Sequence, residues 1–256
     1  MSMMAMVAIL VVIYFSLVLF VVFYGNKIDP KYGNFVFVIT NTILFLSFYV
    51  VSYSPGSRFR FQTLDNISPF TFSTIPFIYA MKPGLKDYYL KNVAYFSVGM
   101  FVAMLVTPQY AYLFSFNNRA STSFLFDALC HLNCSIFGIY LIASGQAKLT
   151  FENLKKAAIF IYCVVGIGVV FNYLFHTGNF GMNPYGGYSI YMFNFFEDYW
   201  ATLLAYIVGI FGVLALGFGM NYLLNKVSGN KLAFDIEAEE EEQQVDSEQI
   251  EEQKIA

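Results

Sequence analysis

The 256-residue sequence predicts an all-α fold. The expected architecture is a polytopic membrane helix bundle of seven spans, with the N-terminus outside and the C-terminus cytoplasmic. Three observations carry this. Hydrophobic residues make up 58% of the chain and charged residues only 12%, about half the usual globular share. A water-soluble domain of this size has too little interior to hide so much apolar surface. The apolar residues also fall into runs close to the ~20 residues of helix that cross a bilayer core. Finally, Lys and Arg collect in alternate connections, the bias that sets membrane orientation. A soluble enzyme, a disordered protein and a nucleic-acid binder are excluded.

The first span covers 4–24. No basic region precedes it and no small-residue cleavage site follows, so it reads as a retained span and not a signal peptide. The second covers 34–54. The third, 68–81, is short and holds Pro69 and Pro76. Pro76 breaks a helix unless a neighbour satisfies the carbonyl it frees. If this segment does not cross, the count falls to six and the N-terminus moves inside. The fourth span covers 92–110, the fifth 121–144, the sixth 157–177 and the seventh 199–225. Gly209, Gly212, Gly217 and Gly219 in the last suggest close helix contact.

Residues 1–229 thus form the transmembrane domain, and 230–256 an acidic, disordered cytoplasmic tail. Ten of the 17 acidic residues lie between Asp235 and Glu252. The tail is either a binding segment for a cytoplasmic partner or a solvating end. Eleven lysines are placed on the cytoplasmic side: Lys27, Lys31, Lys82, Lys86, Lys91, Lys148, Lys155, Lys156, Lys226, Lys231 and Lys254. Only Arg58, Arg60 and Arg119 are placed opposite. Between 179 and 198, Asn183-Pro184-Tyr185-Gly186-Gly187-Tyr188 is a turn followed by interfacial aromatics. It is either a lid over an outer cavity or an interface anchor.

Polar side chains in lipid are costly, so they are the candidate functional residues. With a rise of 1.5 Å per residue, Ser73 lies ~8 Å below the outer end of span three, with Thr71 nearer the surface. Asp127 and His131 lie ~9 and ~15 Å into span five, and Asn172 ~8 Å from the outer end of span six, with His176 at its rim. Asp127 and His131 are four apart and share a helix face. A carboxylate there orients an imidazole, and the imidazole as general base activates a hydroxyl nucleophile, Ser73 or Thr71. Asn172 would donate to the developing oxyanion. His176, Asn179, Tyr185 and Tyr188 are the candidate substrate-binding residues. The plainer reading of the same residues is a buried hydrogen-bond network without chemistry.

Cys130, Cys134 and Cys163 sit in apolar runs and do not form a disulfide framework. A metal site at Cys130, His131 and Cys134 is disfavoured, because His131 points ~100° away from the cysteine face. No Gly-rich phosphate loop or zinc-binding helix is present, so no cofactor is expected. Asn66-Ile67-Ser68 matches a glycosylation sequon, which the adjoining Pro69 disfavours.

Ser68-Pro69-Phe70-Thr71-Phe72-Ser73 resembles the Leu-Pro-Leu-polar-Leu-Cys motif of the YwaF-like integral membrane proteins. Val93-Ala94-Tyr95-Phe96 and Leu105-Val106-Thr107-Pro108-Gln109 are similar to that family's aromatic pair and its Leu-Thr-Pro-Asp segment. His131 stands where the family has its histidine. Asn172-Tyr173-Leu174 and Thr177-Gly178-Asn179-Phe180 resemble the segment ending in Gly-x-Asn-Tyr-Met. The family is related to the vertebrate transmembrane ether-phospholipid acyltransferase. The resemblance therefore implies acyl transfer on membrane lipid by a Cys nucleophile with a His base, and a bacterial plasma membrane. Ser73 replaces the motif Cys, Gln109 replaces the Asp, and Asp127 has no family counterpart.

Three readings compete. One is a membrane-embedded lipid acyltransferase or hydrolase. Another is a transporter of a small or amphipathic solute, disfavoured because no path of charges continues into the inner half. The third is a non-catalytic lipid-binding or scaffold protein.

Overall fold

The computed structural model describes residues 3–52, 67–106, 122–148, 150–175 and 199–227. Among them the chain is helical throughout, without strands. The α-helices are α1 (Met3–Tyr24), α2 (Pro30–Ser52), α3 (Ile67–Thr74), α4 (Pro83–Val106), α5 (Thr122–Ala143), α6 (Phe151–Phe175) and α7 (Tyr199–Val227). Each falls on one of the segments read from hydropathy. Four of them, α1, α2, α6 and α7, are long and apolar enough to cross a membrane.

The exposed surface shows which solvent they meet. Phe15 and Phe20 on α1, Val36 and Val50 on α2, and Leu204 and Leu216 on α7 are all exposed. Water would penalise so broad an apolar surface, whereas hydrocarbon solvates it at little cost. The protein is a multi-helix membrane protein.

Local sequence explains where helices start and stop. Asp29 precedes α2, and its Oδ1 accepts from the Lys31 N–H at 2.8 Å, with Pro30 at the first helical position. Thr150 caps α6 in the same way, accepting the Asn153 N–H at 3.1 Å. Gly145, with φ +75°, terminates α5 in a left-handed cap. The Ala147 N–H then reaches back to the Leu141 carbonyl at 2.9 Å. α3 ends because of Pro76, which cannot donate to the Phe72 carbonyl four residues earlier. The chain continues from Ile75 to Tyr79 as a 3₁₀ segment.

α5 is the hub. Every residue from Cys130 to Ala143 is buried, and the helix packs against α1, α2, α3, α4 and α7. Gly138 allows a close approach to the α4 backbone. A Cβ there would lie 2.7 Å from Ser97 Cβ and 3.0 Å from the Ala94 carbonyl oxygen, so only glycine fits. Polar pairs join the hub to its neighbours. Tyr14 of α1 shares a hydrogen bond with Ser135 at 3.0 Å. Ser97 of α4 meets the Cys134 thiol at 3.4 Å. Asn133 donates to the Phe37 carbonyl of α2 at 3.3 Å. In hydrocarbon such bonds hold helices together where the hydrophobic effect does not.

The end of α5 lies beside the α1–α2 turn and the start of α2. Asn34 Nδ2 donates to Gln146 Oε1 at 2.7 Å, and a Cβ at Gly25 would touch Ala143. Tyr95 of α4 meets the α5–α6 connection there, its hydroxyl 2.7 Å from the Thr150 N–H. Lys27, Lys31 and Lys148 sit at this end with the starts of α2 and α6. The suggested glycine contacts of α7 are not observed at Gly212 and Gly219. A Cβ at either would meet open space, because these glycines face away from the bundle.

Candidate functional site

The polar centre of the bundle forms where α2, α3 and α5 meet. Pro76 leaves the Phe72 carbonyl without its helical donor. Asn41 of α2, fully buried, supplies one: its Nδ2 lies 2.9 Å from that oxygen. The neighbour that answers the carbonyl freed by Pro76 is therefore Asn41. Thr74 Oγ1 donates to the Thr71 carbonyl at 3.1 Å and sits 2.6 Å from the Tyr89 hydroxyl of α4, which closes the same helix end.

His131 projects from α5 into this region and is only 8% exposed. On α3 the ring of Phe72 packs against it. The two rings stand edge to face, with centroids 4.9 Å apart and planes at 85°. Successive residues of a helix are ~100° apart, so Thr71 and Ser73 point to either side of Phe72. Thr71 is buried and borders a cleft shared with α4 and α6. Ser73 is half-buried.

Asp127 lies one turn before His131 on α5, and Asn172 in the last turn of α6. The described structure extends to their backbones and not to their side chains. His176, Asn179, Tyr185 and Tyr188 lie outside the described residues, as do the loop around them, the tail at 230–256, and Arg58, Arg60 and Arg119. Among the described residues no three His, Cys, Asp or Glu side chains gather as a metal site. Cys130 and Cys134 are buried and unbridged, and Cys163 is exposed.

Three residues not picked out by the sequence reading complete the polar centre: Asn41, Tyr89 and Asn92. Asn92 of α4 is 4% exposed and borders the same cleft as Thr71. Its Nδ2 donates back to the Tyr88 carbonyl at 2.8 Å, and its Oδ1 has no hydrogen-bond partner. The signal for Asn41 was visible, since Thr40-Asn41-Thr42 interrupts an apolar run. No spacing rule tied it to Pro76.

The cleft is small, about 20 Å³, which is room for roughly one water molecule. In this conformation it admits a water or a single polar group, and an acyl chain must lie along its mouth.

Comparison with protein-family models, with curated proteins and with solved structures returns no match.

Proposed function

We propose that this chain is a YwaF-like multi-pass membrane protein that acts on membrane lipid as an acyltransferase or hydrolase. In this reading it crosses the plasma membrane seven times, with its N-terminus outside and its acidic tail in the cytoplasm. The observation that carries the reading is the buried imidazole of His131 packed against α3, the segment bearing Thr71 and Ser73. An ionisable ring at the centre of a membrane bundle is costly, and chemistry is a reason to keep it. Presented to His131, either hydroxyl would give its proton to the imidazole and attack an ester carbonyl. The ester C–O bond breaks, the imidazolium protonates the departing lysolipid oxygen, and a second hydroxyl or water then takes the acyl group and frees the side chain.

The test is turnover of acyl-labelled phospholipid by the purified protein in vesicles, read by mass spectrometry as lysolipid, free fatty acid and exchanged acyl chains. His131→Ala is expected to lower turnover by at least ~100-fold, the usual contribution of a general base. Turnover unchanged in that variant, or no turnover above protein-free vesicles, removes the proposal.

One observation favours a second reading, a non-catalytic lipid-binding or scaffold protein. The ring of Phe72 stands edge to face on His131, and that contact is one of packing. Under this reading His131→Ala changes stability and leaves lipid composition untouched.

A further inference from the structure

Asn92 carries an unused acceptor in a place where an unused acceptor is expensive. Its Nδ2 is bound to the Tyr88 carbonyl at 2.8 Å. That carbonyl can only accept, so the amide nitrogen must occupy that side and Oδ1 the other. Oδ1 is shut off from solvent and has no partner. A buried acceptor left this way costs far more than one that is paired. The residue borders the cleft between α3, α4 and α6, where the Thr71 and Tyr89 side chains also stand.

The rest of the cleft defines what would pair with it. Phe96, Phe160 and Val164 form an apolar wall. All three are half-buried, so the wall reaches the surface of α6, a helix of membrane-crossing length and apolarity. Among the described residues no charged side chain lines the cleft. An anionic head would find neither a cation nor a free donor at Asn92 Oδ1, and burying it there would be prohibitive. A neutral hydroxyl suits the site, because it donates to Oδ1. The space of about 20 Å³ admits one such group, and its alkyl chain then lies along the apolar wall toward lipid.

We propose that this cleft binds the hydroxyl head of a neutral single-chain lipid, such as a monoacylglycerol or long-chain alcohol, with Asn92 as the acceptor. The proposal rests on the lipid reading above for its setting and on none of its chemistry.

The experiment uses the full chain in phosphatidylcholine vesicles containing a monoacylglycerol with a photoreactive diazirine in its chain. Crosslinked peptides are mapped by mass spectrometry. Saturable labelling is expected on the peptides of α4 and α6 that carry Phe96, Phe160 and Val164. Unlabelled monoacylglycerol competes and free glycerol at the same concentration does not. Asn92→Leu lowers labelling at least about fivefold, the loss that goes with one net hydrogen bond. Two further variants separate binding from folding. Val164→Trp blocks the mouth and lowers labelling, whereas Ile159→Trp places the same ring on the exposed face of α6 and leaves labelling at the native level. His131→Ala keeps the labelling whether or not it removes turnover, so the two readings fail separately. Labelling that does not saturate, or that is equal in native, Asn92→Leu and Val164→Trp proteins, overturns the proposal and leaves the cleft to a bound water. Equal competition by glycerol overturns the lipid assignment in favour of a free polyol.

Discussion

α5 and α7 are both apolar helices of more than twenty residues, yet they occupy opposite environments. From Cys130 onward α5 is wholly buried, although it carries His131, Asn133, Cys134 and Ser135. α7 is the more uniformly apolar, and it exposes Leu204, Val208, Leu216 and Leu223. In a water-soluble protein the more apolar helix would be the central one. Here lipid solvates apolar side chains as well as the interior does, so apolarity confers no preference for the centre. Polar groups do have a preference, because only other helices can pair them. The hub is accordingly a helix whose buried stretch carries hydrogen-bonding side chains, His131, Asn133, Ser135 and Tyr140 among them.

That contrast can be broken most sharply at two glycines. Gly138→Leu places a side chain where α4 backbone and Ser97 already stand. It should destabilise the bundle by about 3 kcal/mol, near the upper end for overpacking. Gly212→Leu meets open space and should change stability by no more than ~0.5 kcal/mol. Reversible unfolding in mixed detergent micelles measures both. Equal costs would show that α5 is no more central than α7.

A smaller effect tests the reason for the hub's surroundings. Asn41→Leu leaves the Phe72 carbonyl unpaired and should cost about 2 kcal/mol. In a Pro76→Ala background the alanine N–H can take that carbonyl, and the Asn41 substitution should cost ~1 kcal/mol less. Additive costs in the four-variant cycle would mean that Asn41 does not serve the proline break.

Next is the α1–α5 pair. Tyr14→Phe removes the hydrogen bond to Ser135 and should cost about 0.6 kcal/mol, the average for such bonds in membrane proteins. Smallest of all, Leu216→Phe on the lipid-facing side of α7 should move stability by less than ~0.5 kcal/mol. A loss comparable to that at Gly138 would point to a partner covering that face.

Hydropathy located each helix but placed the starts of α4 and α6 the furthest too late. α4 begins at Pro83 and α6 at Phe151, ahead of the expected 92 and 157. The added turns hold Asp87 paired with Lys91 at 2.9 Å and Glu152 paired with Lys156 at 2.5 Å. These charges lie outside any apolar run, so an apolarity scan stops before them while the helix does not. The candidate site was legible in part. His131 stood out as an ionisable group inside a span, and Pro76 as a break needing a partner. That the Phe72 ring stands against the imidazole was not legible. α3 mixes Ser68, Thr71, Ser73 and Thr74 with its apolar residues and shows no single apolar stripe, so its rotation is decided by the neighbours it packs against.

The sequence by itself determined that this is a helical membrane protein, roughly where its helices lie, and that their polar residues would have to be sheltered. Those follow from composition and from the free energy of placing each side chain in hydrocarbon, which is a property of the residue alone. Only the tertiary structure decided that α5 is the hub, that Asn41 answers Pro76, and that Asn92 faces a cleft with an acceptor to spare. Each of these depends on the rotation and depth of one helix against another. In lipid those are set by close packing and by the pairing of a few polar groups far apart in the chain.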